Sequence, residues 1–417
     1  MPTFSYTAKN INGATESGTF QAAGQLEVAR ELRGRGLVPL SIEEKKQGEA
    51  RKNGFSLQAL FKLDVGPLLD RLRGVNLTDK IMFSRHLALM IGAGVPITRA
   101  LTTLSEQTEN TIFRAAILKV EEDIRGGARI ADALSKHPKI FDNLYVSMVH
   151  SGDASGNIIE VLNLLANNLK KEHDLRSRVK GALMYPAVIV TAMGGIGALM
   201  MIMVVPKISE VFKELDAELP VLTKVVIGTS EFISAYWYII FGSLPVFIFL
   251  FKKFEETEIG KKFFSKFFLK VPLFSGLTKK INSARFARTL SSLVEGAVPI
   301  LESLLITKNT LANFYYRESL SKMHASVKAG KPLFESIVPF TDIYPGVVVQ
   351  MVKVGEETGA LGDVLDSIAE FYEEEVDNAT KNLSSVIEPI LMLVIGGVVG
   401  VFAVSMIQPM YSMMGNL

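Results

Sequence analysis

Cysteine is absent from the 417 residues. That excludes disulfides, thiolate metal sites and a cysteine nucleophile, although it does not identify a compartment. Histidine occurs five times and tryptophan once. The histidines are scattered, and the chain contains neither HExxH nor GxSxG. A P-loop needs GxxxxGK[ST]. Gly330-Lys331 is followed by Pro332 and Gly260-Lys261 by Lys262, so neither qualifies. No catalytic constellation, metal site or cofactor site is therefore expected. An excess of one charge sign is also missing. The net charge is +2, which calls for no polyanionic partner, nucleic acid included. The opening MPTFSYTAKN has no basic n-region and no apolar h-region, so a cleavable signal peptide is not expected.

Charge is missing altogether from residues 181–206, 232–251 and 389–417. About 20 apolar helical residues, rising ~1.5 Å each, cross a ~30 Å hydrocarbon core. Hydrophobic residues make up 48% of the chain, and the mean hydropathy is +0.27. Three transmembrane helices are expected, at 183–206, 232–251 and 386–409. Lys170, Lys171, Arg176, Arg178 and Lys180 precede the first span, and Lys252, Lys253, Lys261, Lys262 and Lys266 follow the second. By the positive-inside rule these flanks are cytoplasmic. The connection at 207–231 and the tail at 410–417 then face the periplasm.

What the chain does contain is a repeat. Shifted by 203 positions, Phe83, Arg85 and Leu87 fall on Phe286, Arg288 and Leu290. Pro96 falls on Pro299, Gly127 on Gly330, Gly152 on Gly355, Gly156 on Gly359, Pro186 on Pro389 and Pro206 on Pro409. An ungapped register through glycines and prolines means two copies of one structural unit. Each unit is a polar helical domain that ends in an apolar span. The middle span has no counterpart. It returns the chain so that both copies begin on the same side, as parallel repeats.

The expected organisation follows. Residues 1–46 form a ββαβ module with a turn at Asn12-Gly13. Residues 47–75 are a charged linker and an amphipathic segment, which either packs on the next domain or lies on the membrane. Residues 76–182 and 282–385 are six-helix cytoplasmic bundles, joined through a cytoplasmic connection at 252–281. Thr78 is the expected N-cap of the first bundle. Gly94-Val95-Pro96 ends one helix and opens the next. The fold class is thus mainly α: an integral membrane protein with two repeated bundles, three transmembrane helices and a small α+β module.

Several features remain to be assigned. His86 reads as a packing or surface histidine. The acidic run Glu373-Glu374-Glu375 with Asp377 reads as a solvated helix face, since it lacks calcium-loop spacing. The methionines at 406, 410, 413 and 414 read as lipid-facing or helix-packing. The turn Ser151-Gly152-Asp153-Ala154-Ser155-Gly156 matches Val354-Gly355-Glu356-Glu357-Thr358-Gly359. It reads either as a capping turn, with glycine at a helix C-terminus and Ser155 or Thr358 near the next start, or as a partner-binding surface. Tyr185-Pro186 and Glu388-Pro389 mark membrane boundaries. Proline in a first helical turn with a glutamate near the positive helix end suits the latter pair.

The segments FSRHLALMIGAGVPITRAL and FARTLSSLVEGAVPILESL, the turns SGDASGNIIEVL and VGEETGALGDVL, and the YP and EP pairs resemble the type II secretion F-domain family. These are the inner-membrane platform proteins of type IV pilus and type II secretion machines (the PilC and GspF group). The opening FSYTAKNINGATESGTF is similar to that family's N-terminal module, so the resemblance runs end to end. Two departures are His86, where glutamine is usual, and Gly296-Ala297, where glycine comes one position early. The resemblance implies a non-enzymatic platform that couples a cytoplasmic hexameric motor ATPase to insertion or extraction of pilin or pseudopilin subunits. It also implies other inner-membrane assembly proteins as partners, and a homo-oligomer, with a dimer first. A parallel-repeat transporter is the alternative class, but three spans with few intramembrane polar groups offer little pathway. A membrane receptor or passive scaffold is a further one.

Overall fold

The structure is a computed structural model, and it describes residues 3–10, 15–45, 74–214 and 220–414. The Asn12-Gly13 turn, most of the charged linker and the amphipathic segment at 57–73 lie outside the described residues.

Residues 3–45 belong to a small unit of their own. Its elements are β1 (Thr3–Asn10), β2 (Thr15–Gln21), α1 (Gln25–Gly34) and β3 (Leu37–Lys45). The strand order is β2-β1-β3, antiparallel throughout. Alternation along β1 sends Phe4 and Ala8 to one face, where Val28 and Leu32 of α1 cover them.

The larger unit opens with α2 (Leu77–Gly92), α3 (Ile97–Gln107), α4 (Thr111–Arg125), α5 (Ile130–Ser135), α6 (Asn143–Ser155) and α7 (Ile158–Leu199). After a π-helical turn at Met200–Val204 come α8 (Val205–Glu214), α9 (Val221–Glu256) and α10 (Glu258–Lys270). The second copy is α11 (Pro272–Glu295), α12 (Ile300–Thr310), α13 (Phe314–Lys328), α14 (Leu333–Ile337), α15 (Gly346–Thr358) and α16 (Leu361–Met414). Helices α12, α13 and α15 start and stop 203 positions after α3, α4 and α6. The caps repeat too. Asn110 accepts the N–H groups of Ile112 and Phe113, and Asn313 that of Tyr315. Thr78 is not a cap. Asn76 holds the N-cap position of α2 and makes no side-chain bond there, so Thr78 falls within the first turn.

Each bundle closes around aromatic rings at matched positions. In the first copy Phe83 meets Phe113 at 5.4 Å, and Phe141 meets Tyr145 at 5.0 Å. In the second, Phe286 and Tyr316 each contact Tyr344, at 5.0 and 4.9 Å. Phe113 and Phe141 have thus become Tyr316 and Tyr344, and a buried hydroxyl needs a partner. Tyr316 donates to the Ile343 carbonyl, and Tyr344 shares a hydrogen bond with Ser319 at 3.1 Å. Burial holds both phenols well above the usual tyrosine range. The first core does not stop at the repeat boundary, because Leu293, Val298 and Ile306 of the second copy complete it.

The last helix of each copy leaves its bundle without a break. One helical run extends from Ile158 to Phe212 and another from Leu361 to Gln408, and both are long and apolar enough to cross a membrane. Helix α9 is bent by 74° between Ile239 and Gly242, so it makes a further span only if the bent pair counts as one. Pro245 accounts for the bend: it has no N–H for the carbonyl four residues earlier, and its ring presses on that turn.

Proline also shapes the far ends of the spans. Pro206 cannot donate, and the chain before it widens so that Val205 N–H reaches the Met200 carbonyl. The Met201 carbonyl is left over, and Ser230 of α9 donates to it. In the second copy Pro409 leaves the Ser405 carbonyl over, and Thr223 of α9 donates to it at 2.7 Å. Thr223 and Ser230 are seven residues apart, two turns along one face. The unduplicated helix therefore satisfies the carbonyl freed by the proline of each copy. Thr223→Val and Ser230→Ala are each expected to cost about 0.5–2 kcal/mol. Thr229, whose hydroxyl donates to the Val225 carbonyl of its own helix and to no other helix among the described residues, supplies the control. Thermal unfolding of the detergent-solubilised protein checks this, and losses no larger than that of Thr229→Ala would refute the clasp.

Candidate functional site

The two copies meet along α7, α11 and α16, where helical spacing gathers charges into stripes. Asp366, Glu370, Glu373 and Asp377 recur at i, i+4, i+7 and i+11 on α16. Arg285 and Arg288 stand one turn apart on α11, and Lys171 and Arg178 two turns apart on α7. Glu373 accepts from Arg288 at 2.8 Å and from Lys171 at 3.1 Å, which ties the copies together through one carboxylate. Arg288 also donates to Asp366. Glu172 of the first copy receives Arg285 of the second at 2.9 Å. Arg288 and Glu373 keep only 14% and 13% of their side-chain surface. Burial works against the charge on Arg288, but Glu373 and Asp366 more than offset it, so its pKa is raised. A polar cleft of about 570 Å³, lined by Lys171, Arg178, Arg288 and Glu370, opens beside this cluster. The acidic run is therefore not a solvated face throughout: Glu373 is at the junction and Glu375 pairs with Lys280 at 2.7 Å.

Neutral contacts continue the seam. Asn168 donates to Ser292 at 2.8 Å, and Ser151 donates to the Gly296 carbonyl at 2.7 Å. Gly296 is the displaced glycine of the second copy. A Cβ there would stand 3.3 Å from Cε of Met148, across the repeat boundary. At Gly94 of the first copy φ is +80°, and its counterpart Ala297 keeps that left-handed backbone at +56°. Ala297 is the sole non-glycine residue with positive φ among the described residues. The second copy thus bears a strained alanine so that glycine can stand where the copies touch.

The matched turns do place a glycine at a helix C-terminus, but it is Gly156 and Gly359 rather than Gly152 and Gly355. Gly152 does not end α6 but lies within it, and the helix runs on to Ser155. Gly156 follows with φ +78°, and Gly359 follows α15 with +72°. Ser155 and Thr358 stand three residues before α7 and α16, but their hydroxyls do not cap those helices. Each bonds back to a carbonyl of its own helix, Ser151 at 2.9 Å and Val354 at 2.7 Å. Gly152 is a contact glycine, because a Cβ there would lie 2.8 Å from Val161 of α7. At Gly355 a Cβ would lie 3.1 Å from Leu361 and Val364 of α16. The acidic members diverge. Glu356 accepts the N–H groups of Leu333 and Phe334, at 2.7 and 3.0 Å, and so caps α14. Asp153 is exposed.

The remaining predicted positions scatter. Pro96 and Pro299 stand immediately before α3 and α12. Arg85 is exposed and forms no ion pair among the described residues, unlike its counterpart Arg288. The first copy offers it Asn163 and Lys170 where the second has Asp366 and Glu373. Tyr185-Pro186 and Glu388-Pro389 lie inside α7 and α16. No helix begins at Glu388, so a favourable helix N-terminus does not explain it.

Comparison with known proteins gives this architecture its class. The family described as Type II secretion system (T2SS), protein F matches residues 83–206 and again 286–409, and its N-terminal domain matches residues 1–43. The chain belongs to this family. It is 35% identical over 417 residues to "Type IV pilus assembly protein PilC" of Thermus thermophilus, covering 100% of this chain and 99% of that protein. It is 32% identical over 416 residues to the protein of the same name from Myxococcus xanthus, covering 99% and 95%. It is 31% identical over 388 residues to "Type II secretion system protein F" of Aeromonas hydrophila, covering 92% and 95%.

Proposed function

We propose that this chain is the non-enzymatic inner-membrane platform of a type IV pilus assembly machine. It couples a cytoplasmic motor ATPase to the insertion or extraction of pilin subunits. The carrying observation is the end-to-end identity to relatives named for type IV pilus assembly, somewhat above that to the type II secretion protein F. The platform of a type II secretion system is the second reading, favoured by the same family.

Three structural features support the coupling. Helices α7 and α16 run from bundle to span unbroken, and α16 with its 54 residues is about 80 Å long. A displacement applied to a bundle therefore reaches the membrane along a rigid rod. The shared core and the Glu373 bridge make the two bundles move together. The exposed apolar faces of the spans, such as Leu393 and Val399, suit the transmembrane helices of pilin subunits gathered in the bilayer. The topology that fits has three spans, with both bundles and the N-terminal module in the cytoplasm. The test is copurification of the detergent-solubilised chain with the motor ATPase of the same cell, together with that ATPase's turnover. Binding with stimulated hydrolysis is expected. Absence of both, with pili still assembled by a strain lacking the chain, would refute the role.

A further inference from the structure

We propose that α10 is an in-plane anchor that seats the second bundle on an anionic lipid surface. This rests on the membrane reading above but is not required by it. The corner that leads into α10 is tight. Thr257 caps the helix by accepting the Gly260 N–H at 3.1 Å, and a Cβ at Gly260 would stand 2.0 Å from the Phe254 carbonyl oxygen. Only glycine fits that corner, so the direction of α10 is fixed by the end of α9.

The two sides of α10 then have different fates. On one side Ser265 is buried and accepts the Phe314 N–H at 3.0 Å, and Leu269 packs against the second core. On the other side Ile259, Phe263 and Phe267, at i, i+4 and i+8, are 76%, 59% and 47% exposed. Among the described residues, nothing closes over this stripe. Lys266 and Lys270 flank it, both exposed. The sole acidic residue of the helix, Glu258, is at its start.

A bare aromatic stripe edged with lysines suits the headgroup boundary of a membrane. There the rings enter the acyl region and the ammonium groups meet lipid phosphates. Position along the chain points the same way. The uncharged run of α9 ends at Phe251, and α10 starts seven residues later, at the depth where headgroups begin. A protein occupant would have to answer a dense set of lysines, whereas anionic lipid does so at no particular geometry.

The chain lacks cysteine, so single cysteines in the full-length protein carry an environment-sensitive fluorophore cleanly. Labels at Phe263→Cys, Phe267→Cys, Leu393→Cys and Lys328→Cys are compared after reconstitution into phosphatidylcholine vesicles with and without phosphatidylglycerol. Labels at 263 and 267 are expected to be quenched by a spin label carried near the lipid headgroup, and several-fold less by aqueous iodide than the label at 328. The contrast should be greater with phosphatidylglycerol, and Lys266→Gln with Lys270→Gln should abolish that lipid dependence. Iodide quenching at 263 equal to that at 328 would overturn the proposal. Protection from iodide without lipid quenching would also overturn it, because protein would then cover the stripe. Leu393 separates the two readings: lipid quenching there but not at 263 sinks the anchor alone, and its absence at both sinks the membrane reading as well.

Discussion

Glu373→Ala is expected to destabilise the larger unit by about 3–5 kcal/mol, the cost of leaving a buried charge without its partner. Glu373 is the carboxylate that both copies share, and both it and Arg288 are largely withdrawn from water. Removing it leaves the Arg288 guanidinium with Asp366, which is 39% exposed and is a weaker substitute. Lys171 loses its shorter contact and keeps Glu370 at 3.6 Å. Glu370→Ala is the control: its carboxylate is 62% exposed, and such pairs contribute about 0–1 kcal/mol. Replacing both members of the buried pair, Arg288→Met with Glu373→Leu, should recover most of the loss. Chemical unfolding of the solubilised protein, followed by circular dichroism, measures all three. If Glu373→Ala costs no more than Glu370→Ala, the copies are not held together through this carboxylate.

The second large effect is expected at Gly152, for a reason that differs from Gly156 four residues on. Alanine within a helix normally gains about 1 kcal/mol over glycine. At position 152 the added methyl group would meet Cγ2 and Cβ of Val161 at 2.8 and 2.9 Å, so α6 and α7 must separate. Gly152→Ala should cost about 1–3 kcal/mol net, and Gly152→Val more. At Gly156 nothing lies within 4 Å, and the obstacle is the backbone, at φ +78°. Gly156→Ala should cost about 1–2 kcal/mol. Asparagine separates the two causes because it tolerates the left-handed region. Gly156→Asn should recover much of the loss, while Gly152→Asn should be at least as damaging as alanine. Equal losses for asparagine and alanine at 156 would show that the conformation is not what the glycine supplies there.

The repeat was the most legible property of the chain, because glycines and prolines carry backbone information that survives divergence. Pro96 and Pro299, and Gly156 and Gly359, mark helix boundaries that the structure places 203 residues apart. The membrane-length runs of α7 and α16 were legible as charge-free stretches, but the bend in α9 was not. Its cause, Pro245, stands within the uncharged residues 232–251 and reads simply as part of an apolar stretch. The junction was legible only in part. Arg288 stood out as the match of Arg85, yet identity between copies pointed away from its role, which depends on a difference. Asn163 and Lys170 stand where the second copy has Asp366 and Glu373. Comparing the copies by charge along one helical face would have exposed the acidic stripe. Gly152 was misread because a glycine near a turn suggests a cap, whereas its use here is a close helix approach that only coordinates reveal.

The central claim is that two copies of one unit stand on the same side of a membrane, joined by a helix that returns the chain. Positions 135 and 338 are equivalent in the two copies and both are exposed. Val221, 79% exposed, opens α9 and is on the opposite side of the membrane in the proposed topology. Ser135→Cys, Val338→Cys and Val221→Cys, each made singly in this cysteine-free chain, are treated with an impermeant thiol reagent in spheroplasts. The reagent should label position 221 in intact spheroplasts, and positions 135 and 338 only after lysis. Labelling of 135 and 338 from opposite sides would contradict the account, because α9 would then not cross and the repeats would not be parallel.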